Sequence, residues 1–227
     1  MTVTLPIRVA IVDDHRFLAQ TLALALQDGD FDAVLIDPAD NVVQRVAQWA
    51  ASVVLLDLNL EREVTGDQLI PALSADRAVV VLTAETDEAR WGECLLAGAV
   101  GVLPKSSPLE DVVTAVGRAA RGEVVVGDAQ RMSWLRAADR QRAQTETALA
   151  PFRRLTPREE EVLAALVDGE PALAIAERAT VSEATVRSHI RSVLTKLGVG
   201  SQLQAVAQAR RAGWSGERNV GREARRG

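Results

Sequence analysis

Five short apolar runs punctuate the first half of the chain: IRVAIV (7–12), AVLI (33–36), SVVLL (52–56), AVVVLT (78–83) and VGVL (100–103). They are rich in Val, Ile and Leu and scarcely alternate with polar residues, the pattern of strands buried on both faces of a parallel sheet. Amphipathic stretches separate them at roughly 15–28, 40–50, 66–74, 86–98 and 108–121. Five such repeats predict an α/β doubly wound five-stranded parallel sheet with right-handed crossovers over residues 1–122.

The pattern then changes. Residues 123–151 have weaker periodicity, but MSWLRAADRQRAQTETAL favours helix and carries charges of both signs, so a partly helical linker is expected, ending at Pro151. Beyond it apolar positions recur only at helical spacing. In LTPREEEVLAALVDG, Thr156 is an N-cap, Pro157 takes the first helical position and Glu159 completes a capping box. Val162, Leu163, Leu166 and Val167 form the apolar stripe and Gly169 ends it. ALAIAERA is a second, short helix. Ser182 caps a third, with Val186, Ile190, Val193, Leu194 and Leu197 on one side and Gly198 as its stop; QLQAVAQARRAG supplies a fourth. Residues 152–212 thus read as an all-α four-helix helix-turn-helix domain. Residues 213–227, Gly- and Arg-rich with little apolar content, read as a disordered basic tail.

The net charge of −5 conceals an asymmetry. Residues 1–122 carry 18 acidic and 9 basic side chains, whereas residues 152–227 carry 9 and 13. An acidic front and a basic back suggest separate partners, the back a polyanion. The only cysteine, Cys94, leaves no intrachain disulfide and no cysteine-based metal site. A reducing cytosol, and hence a cytoplasmic location, is expected. No apolar stretch approaches the roughly 20 residues of a membrane span, and MTVTLPIRVAIV lacks the pattern of a signal peptide, so no membrane partner is expected.

The chemistry-bearing residues collect at the carboxyl ends of the predicted strands, where doubly wound sheets bind ligands. Strand one ends in Asp13-Asp14, strand three in Asp57 and strand four in Thr83; Lys105 follows strand five. Each alone is an ordinary loop residue or helix cap. Together they are three carboxylates, a hydroxyl and an ammonium on one edge. Close carboxylates repel, and a divalent cation with oxygen ligands, Mg²⁺ above all, resolves the conflict. Lys and Thr could hold further phosphate oxygens. The set suits phosphoryl transfer to a carboxylate.

Residues 7–122 resemble a response-regulator receiver domain: VDD (12–14), Asp57, Thr83 in LTAE and Lys105 in LPKSSP stand in the family's order. The resemblance implies that Asp57 is the phosphoacceptor, that Asp13, Asp14, Asp57 and the backbone carbonyl of Asn59 bind Mg²⁺, that Thr83 contacts the phosphoryl group and that Lys105 pairs with it. Three features depart from the family. Val102 stands where an aromatic is usual, so no rotating aromatic there can report the state of Thr83. The loop LNLEREVTG is longer and more charged, with its glycine one residue late. Pro104 precedes Lys105 and biases Leu103 toward an extended conformation. Cys94, Trp49 and Trp91 read as packing residues, His15 as a cap or surface residue, and Trp134 as packing or exposed.

Residues 153–210 resemble the LuxR-type effector domain, in the form LTPRE-x-EVL…IA…S-x-x-TV-x-x-H-x-x-x-x-x-x-KL. Its third helix carries Arg187, Ser188, Arg191 and Lys196 away from the apolar stripe. Charge on a helix is usually just solvated; after a tight helix–turn–helix in a basic domain it favours the major groove of DNA. The resemblance implies DNA contacts from Thr185, Arg187, Ser188 and Arg191, with Lys196 near the phosphate backbone; His189, usual in the family, reads as a packing and phosphate-side residue. Pro171, Ala172, Leu173 and Ala174 replace the family's polar run before Ile-Ala, removing polar contacts from the second helix.

The whole chain therefore resembles a two-component response regulator of the NarL/LuxR type. That implies a sensor histidine kinase as phosphoryl donor, Mg²⁺ as cofactor, and a homodimer on double-stranded promoter DNA. Two rivals remain open: a regulator of the same fold gated by a ligand or partner protein without phosphorylation, and a phosphatase with a strand-end aspartate nucleophile. The phosphatase class typically needs a second aspartate two residues on, where this chain has Asn59. A quorum-sensing LuxR-type receptor would lack the receiver.

Overall fold

The computed structural model describes residues 6–27, 29–60 and 65–216. Residues 61–64 of the loop after Asp57, and the expected tail from residue 217 on, lie outside the described residues. The chain divides into two compact units, one through Arg140 and one from Gln141.

In the first unit, β1 (Ile7–Val12), β2 (Phe31–Ile36), β3 (Val53–Leu56), β4 (Ala78–Thr83) and β5 (Gly101–Pro104) form a parallel sheet in the order β2-β1-β3-β4-β5. Helices α1 (Arg16–Gln27), α2 (Val42–Trp49), α3 (Gly66–Leu73), α4 (Glu88–Leu96) and α5 (Leu109–Ala120) connect them. The expected α/β doubly wound fold is the observed one. β2 begins two residues earlier than its apolar run, because Phe31 and Asp32 continue the ladder opposite Ile7 and Arg8. The uninterrupted apolar strands have the predicted cause: successive side chains serve two cores. Val54 and Leu56 face one with Ile70, Leu73 and Leu95, while Val53 and Leu55 face the other with Leu22, Leu26 and Val116. The strand order reverses between β1 and β3, where Val12 is level with Leu56. The two strand ends that carry Asp13 and Asp57 are therefore neighbours.

Residues 128–149 form one helix, α6 (Asp128–Leu149), longer than its weak periodicity announces. Its first part belongs to the first unit. Trp134, which could have packed or faced solvent, is 2% exposed and lies in the same core cluster as Val102 and Cys94.

In the second unit, a 3₁₀ turn (Ala150–Arg154) precedes α7 (Pro157–Val167), α8 (Ala172–Arg178), α9 (Glu183–Leu197) and α10 (Gln202–Arg211). The Thr156–Glu159 capping box forms as predicted. Val162, Leu163 and Leu166 are buried, and Val186, Ile190, Val193 and Leu197 supply the inward face of α9. Within the tail expected from residue 213, Trp214 is instead ordered: it stacks on Phe152 with ring centroids 5.5 Å apart and is buried. Among the described residues, no helix is long and apolar enough to cross a membrane.

Candidate functional site

Asp57 leaves β3 at the point where the apolar run ends, and its backbone N–H still donates to the Val12 carbonyl at 2.9 Å. The side chain is 1% exposed. Its two oxygens have separate partners: Oδ2 accepts from Lys105 Nζ at 2.8 Å and Oδ1 from the Asn59 N–H at 3.2 Å. The same lysine donates to Asp13, 2.8 Å from Oδ2 and 3.0 Å from Oδ1. Asp13 Oδ1 also accepts the His15 N–H at 2.8 Å, which fixes the turn into α1. Asp14 Oδ1 lies 2.7 Å from His15 Nδ1. His15, expected as a cap or surface residue, is thus mostly exposed yet stands against the acid pair; its place directly after Asp13-Asp14 was the available signal.

Charge decides the character of this edge. Burial pushes the Asp57 carboxyl above the usual aspartate range, against the hydrogen bonds from Lys105 and Asn59 and the lysine charge, with the Asp13 charge adding to the rise. Burial would lower the Lys105 pKa, but hydrogen bonds to Asp13 and Asp57 and their charges outweigh it and hold the ammonium above its ordinary value. One ammonium is shared by two carboxylates, Asp13 and Asp57, with Asp14 beside them against His15. Asp13, Asp14, His15 and Asp57 each bring a ligand atom into a set lying within 4.8 Å of one another. Oxygen-rich, net negative and partly buried, the set suits a hard divalent cation.

The remaining edge residues are tied in by the backbone. Thr83, fully buried, accepts the Glu85 N–H on Oγ1 at 3.1 Å, and its carbonyl accepts the Lys105 N–H at 2.7 Å. Gly66, the late glycine of the long loop, still returns to the site: its N–H donates to the Leu58 carbonyl at 3.0 Å, and a Cβ there would lie 2.0 Å from the Asp57 carbonyl oxygen. A cavity of about 360 Å³ opens beside the acid pair, lined by Asp13, Asp14, Arg16, Gln20 and Asp37 among others.

In the second unit, Ser182 caps α9 by accepting the Thr185 N–H at 3.1 Å. Thr185, Arg187, Ser188 and Arg191 are all exposed, opposite the buried stripe. Arg187 donates to Glu183, its closest approach 2.6 Å. Lys196 does not share their freedom. Expected near a phosphate backbone, its ammonium instead lies 2.6 Å from Oε2 of buried Glu159. The Ser192 hydroxyl donates to Oε1 at 2.6 Å and the Thr156 N–H to Oε2 at 2.7 Å. Burial alone would raise the Glu159 pKa; the Lys196, Ser192 and Thr156 hydrogen bonds overcome it and bring it down to about 2. In the sequence Glu159 is legible only as the capping-box residue of α7. On α8, Ile175 and Ala176 are buried while Leu173 is exposed.

Comparison with known proteins agrees with both halves. The receiver model ("Response regulator receiver domain") matches residues 9–117, and the model described as "Bacterial regulatory proteins, luxR family" matches residues 153–209. The chain is 31% identical over 211 residues to the transcriptional regulatory protein LiaR of Bacillus subtilis, covering 90% of this chain and 97% of that protein. It is 29% identical over 207 residues to the nitrate/nitrite response regulator NarL of Escherichia coli K12, covering 88% and 93%. Among solved structures, the Salmonella typhimurium RcsB response regulator shares the fold, with a TM-score of 0.50 at 21% identity over 90% of this chain and 98% of that one.

Proposed function

This chain belongs to the response regulators that join a receiver domain to a luxR-type DNA-binding domain, and on that premise we propose that phosphorylation of Asp57 switches its binding to promoter DNA. The reading rests above all on the two Asp57 carboxylate oxygens, held separately by Lys105 and the Asn59 N–H beside Asp13 and Asp14. A sensor histidine kinase is the donor class. A carboxylate oxygen of Asp57 attacks the phosphorus, the P–O bond forms as the P–N bond to the kinase imidazole breaks, and an acyl phosphate results. Asp13, Asp14, Asp57 and the Asn59 carbonyl would hold Mg²⁺, which when bound offsets charge on the phosphoryl oxygens. Lys105, freed from its bridge between Asp13 and Asp57, pairs with one phosphoryl oxygen, and the Thr83 hydroxyl donates to another.

In this reading residues 1–122 receive the signal, 123–151 connect, and 152–212 bind DNA as a homodimer on paired half-sites in the cytoplasm. Thr185, Arg187, Ser188 and Arg191 contact the groove, and Lys196 serves chiefly to hold α9 against α7. Incubation with a small phosphodonor and Mg²⁺ tests the site: wild type should be labelled and Asp57→Asn should not. Equal labelling of both would overturn the assignment.

Buried Val102 favours a second reading, in which the same fold works without phosphorylation through a ligand or partner. DNA affinity unchanged by the phosphodonor, in protein that is demonstrably labelled, would support it.

A further inference from the structure

We propose that Trp91 and Trp134 form the output relay of the first unit, connecting the Thr83 hydroxyl to the linker helix α6. The inference rests on Asp57 as phosphoacceptor for its trigger, but its wiring is a property of the unphosphorylated chain.

The path is short and each step is a direct contact. Thr83 Oγ1 accepts the Glu85 N–H at 3.1 Å, which fixes the loop between β4 and α4. The Glu85 carbonyl accepts from Trp91 Nε1 at 3.1 Å, which fixes the orientation of that indole on α4. The Trp91 ring meets the Trp134 ring edge-on, centroids 4.8 Å apart at 75°. Trp134 lies on α6. Arg90, the neighbour of Trp91, reinforces the same junction: it pairs with Glu85 at 3.7 Å and with Asp67, at the start of α3, at 3.1 Å. The loop between β4 and α4 and the start of α3 are thus tied to one turn of α4.

The attachment of α6 depends on this turn. Trp134 and Ala138 are the buried residues of α6. They seat against Gly92, where a Cβ would lie 2.1 Å from the Trp134 carbonyl oxygen and 2.8 Å from Ala138 Cβ. Only glycine lets the two backbones approach so closely. Trp134 Nε1 is buried with no hydrogen-bond partner among the described residues. An unmet buried donor weakens a contact relative to its apolar area, which suits a contact that must open as well as close. The apolar cluster that receives Trp134 contains Val102, the residue standing where relatives carry a rotating aromatic. The indole pair on α4 and α6 takes over the reporting task that Val102 cannot perform.

Operation follows from rotation of the Thr83 side chain, which carries Oγ1 away from the Glu85 N–H. When its hydroxyl turns to a phosphoryl oxygen at the neighbouring strand end, its lone pair leaves the Glu85 N–H. The loop shifts, Trp91 loses its acceptor, and the ring that seats Trp134 moves.

Hydrogen–deuterium exchange on the full chain tests this. Thr83→Val keeps the shape and removes the hydroxyl; it should speed exchange over residues 128–140 several-fold without changing α2, and Thr83→Ser should restore protection. Trp91→Phe and Gly92→Ala should speed the same segment. If Trp91→Phe acts but Thr83→Val does not, the tryptophans only pack and the relay is refuted. In a second arm, Mg²⁺ with beryllofluoride should speed exchange over 128–140 in wild type and add nothing in Trp91→Phe. Bound beryllofluoride, seen by fluorine NMR, with unchanged exchange would also refute it. Absence of bound beryllofluoride would count against Asp57 as acceptor instead, and the Thr83→Val result would then decide the relay.

Discussion

Lys196 reaches back from the last turn of α9 to Glu159 in the first turn of α7, Nζ to Oε2 at 2.6 Å, and so fixes the exposed face of α9 to the rest of its domain. A residue of a type that usually meets phosphate is occupied in holding α9 in place. The Glu159 carboxylate is 6% exposed and accepts two further hydrogen bonds, from the Ser192 hydroxyl and the Thr156 N–H, so removing it leaves polar atoms unmet.

This pair sets a pH dependence. The Glu159 pKa in the folded protein, about 2, lies below the unfolded value of 4.5, so the pair contributes stability above pH 4.5 and loses it as pH falls toward 2. The contribution is about 3 kcal/mol. Thermal unfolding of the second unit should show this decline between those limits, and Glu159→Gln should flatten it. Lys196→Met should cost about 2–4 kcal/mol at neutral pH, read as a lower melting temperature.

Gly66 makes a separate demand, of space and not of backbone angle. Its missing Cβ would sit 2.0 Å from the Asp57 carbonyl oxygen and 2.8 Å from Leu58 Cα. Both neighbours are backbone and cannot swing aside. Gly66→Ala should therefore destabilise the first unit by about 1–3 kcal/mol. It should also slow labelling of Asp57 by a small phosphodonor at least about tenfold, since small displacements of a reacting group are costly.

Arg191 is exposed on α9 and has no ion-pair partner among the described residues, whereas Arg187 is already paired with Glu183. Arg191→Ala should weaken binding to a specific operator by about 1–3 kcal/mol and relax base preference at one position. Fluorescence anisotropy on operator and random duplexes separates this from a uniform loss of phosphate affinity.

Thr180, in the turn between α8 and α9, has φ +54°, a left-handed conformation that a β-branched residue adopts only at a cost. The residue is exposed, so its replacement leaves no cavity. Thr180→Asn should stabilise the second unit by about 0.5–1 kcal/mol, measured by denaturant unfolding, with DNA affinity retained.

The pattern of the chain announced the architecture because each signal had a single physical origin. Short uninterrupted Val/Ile/Leu runs of four to six residues between helical patterns suit strands covered on both faces, and the Thr156 capping box begins a helix. The acidic edge was legible for the same reason: topology puts the ends of β1 and β3 side by side, so Asp13 and Asp57 had to meet. Trp134 was not legible. The helix that carries it has no clear apolar stripe, and the partners that bury it, Trp91 and Gly92, lie some forty residues away in sequence.

Sequence by itself determined the sheet, the helical second unit and the collection of carboxylates, hydroxyl and ammonium on one edge, because local periodicity and strand order fix all three. Tertiary structure decided which charges are spent and which are free. Lys105 is shared between two carboxylates, Lys196 is drawn to Glu159, and Arg191 remains exposed. A charged side chain declares its sign in the sequence, but its partner is whatever burial leaves within about 3 Å of it, and only the packed chain supplies that.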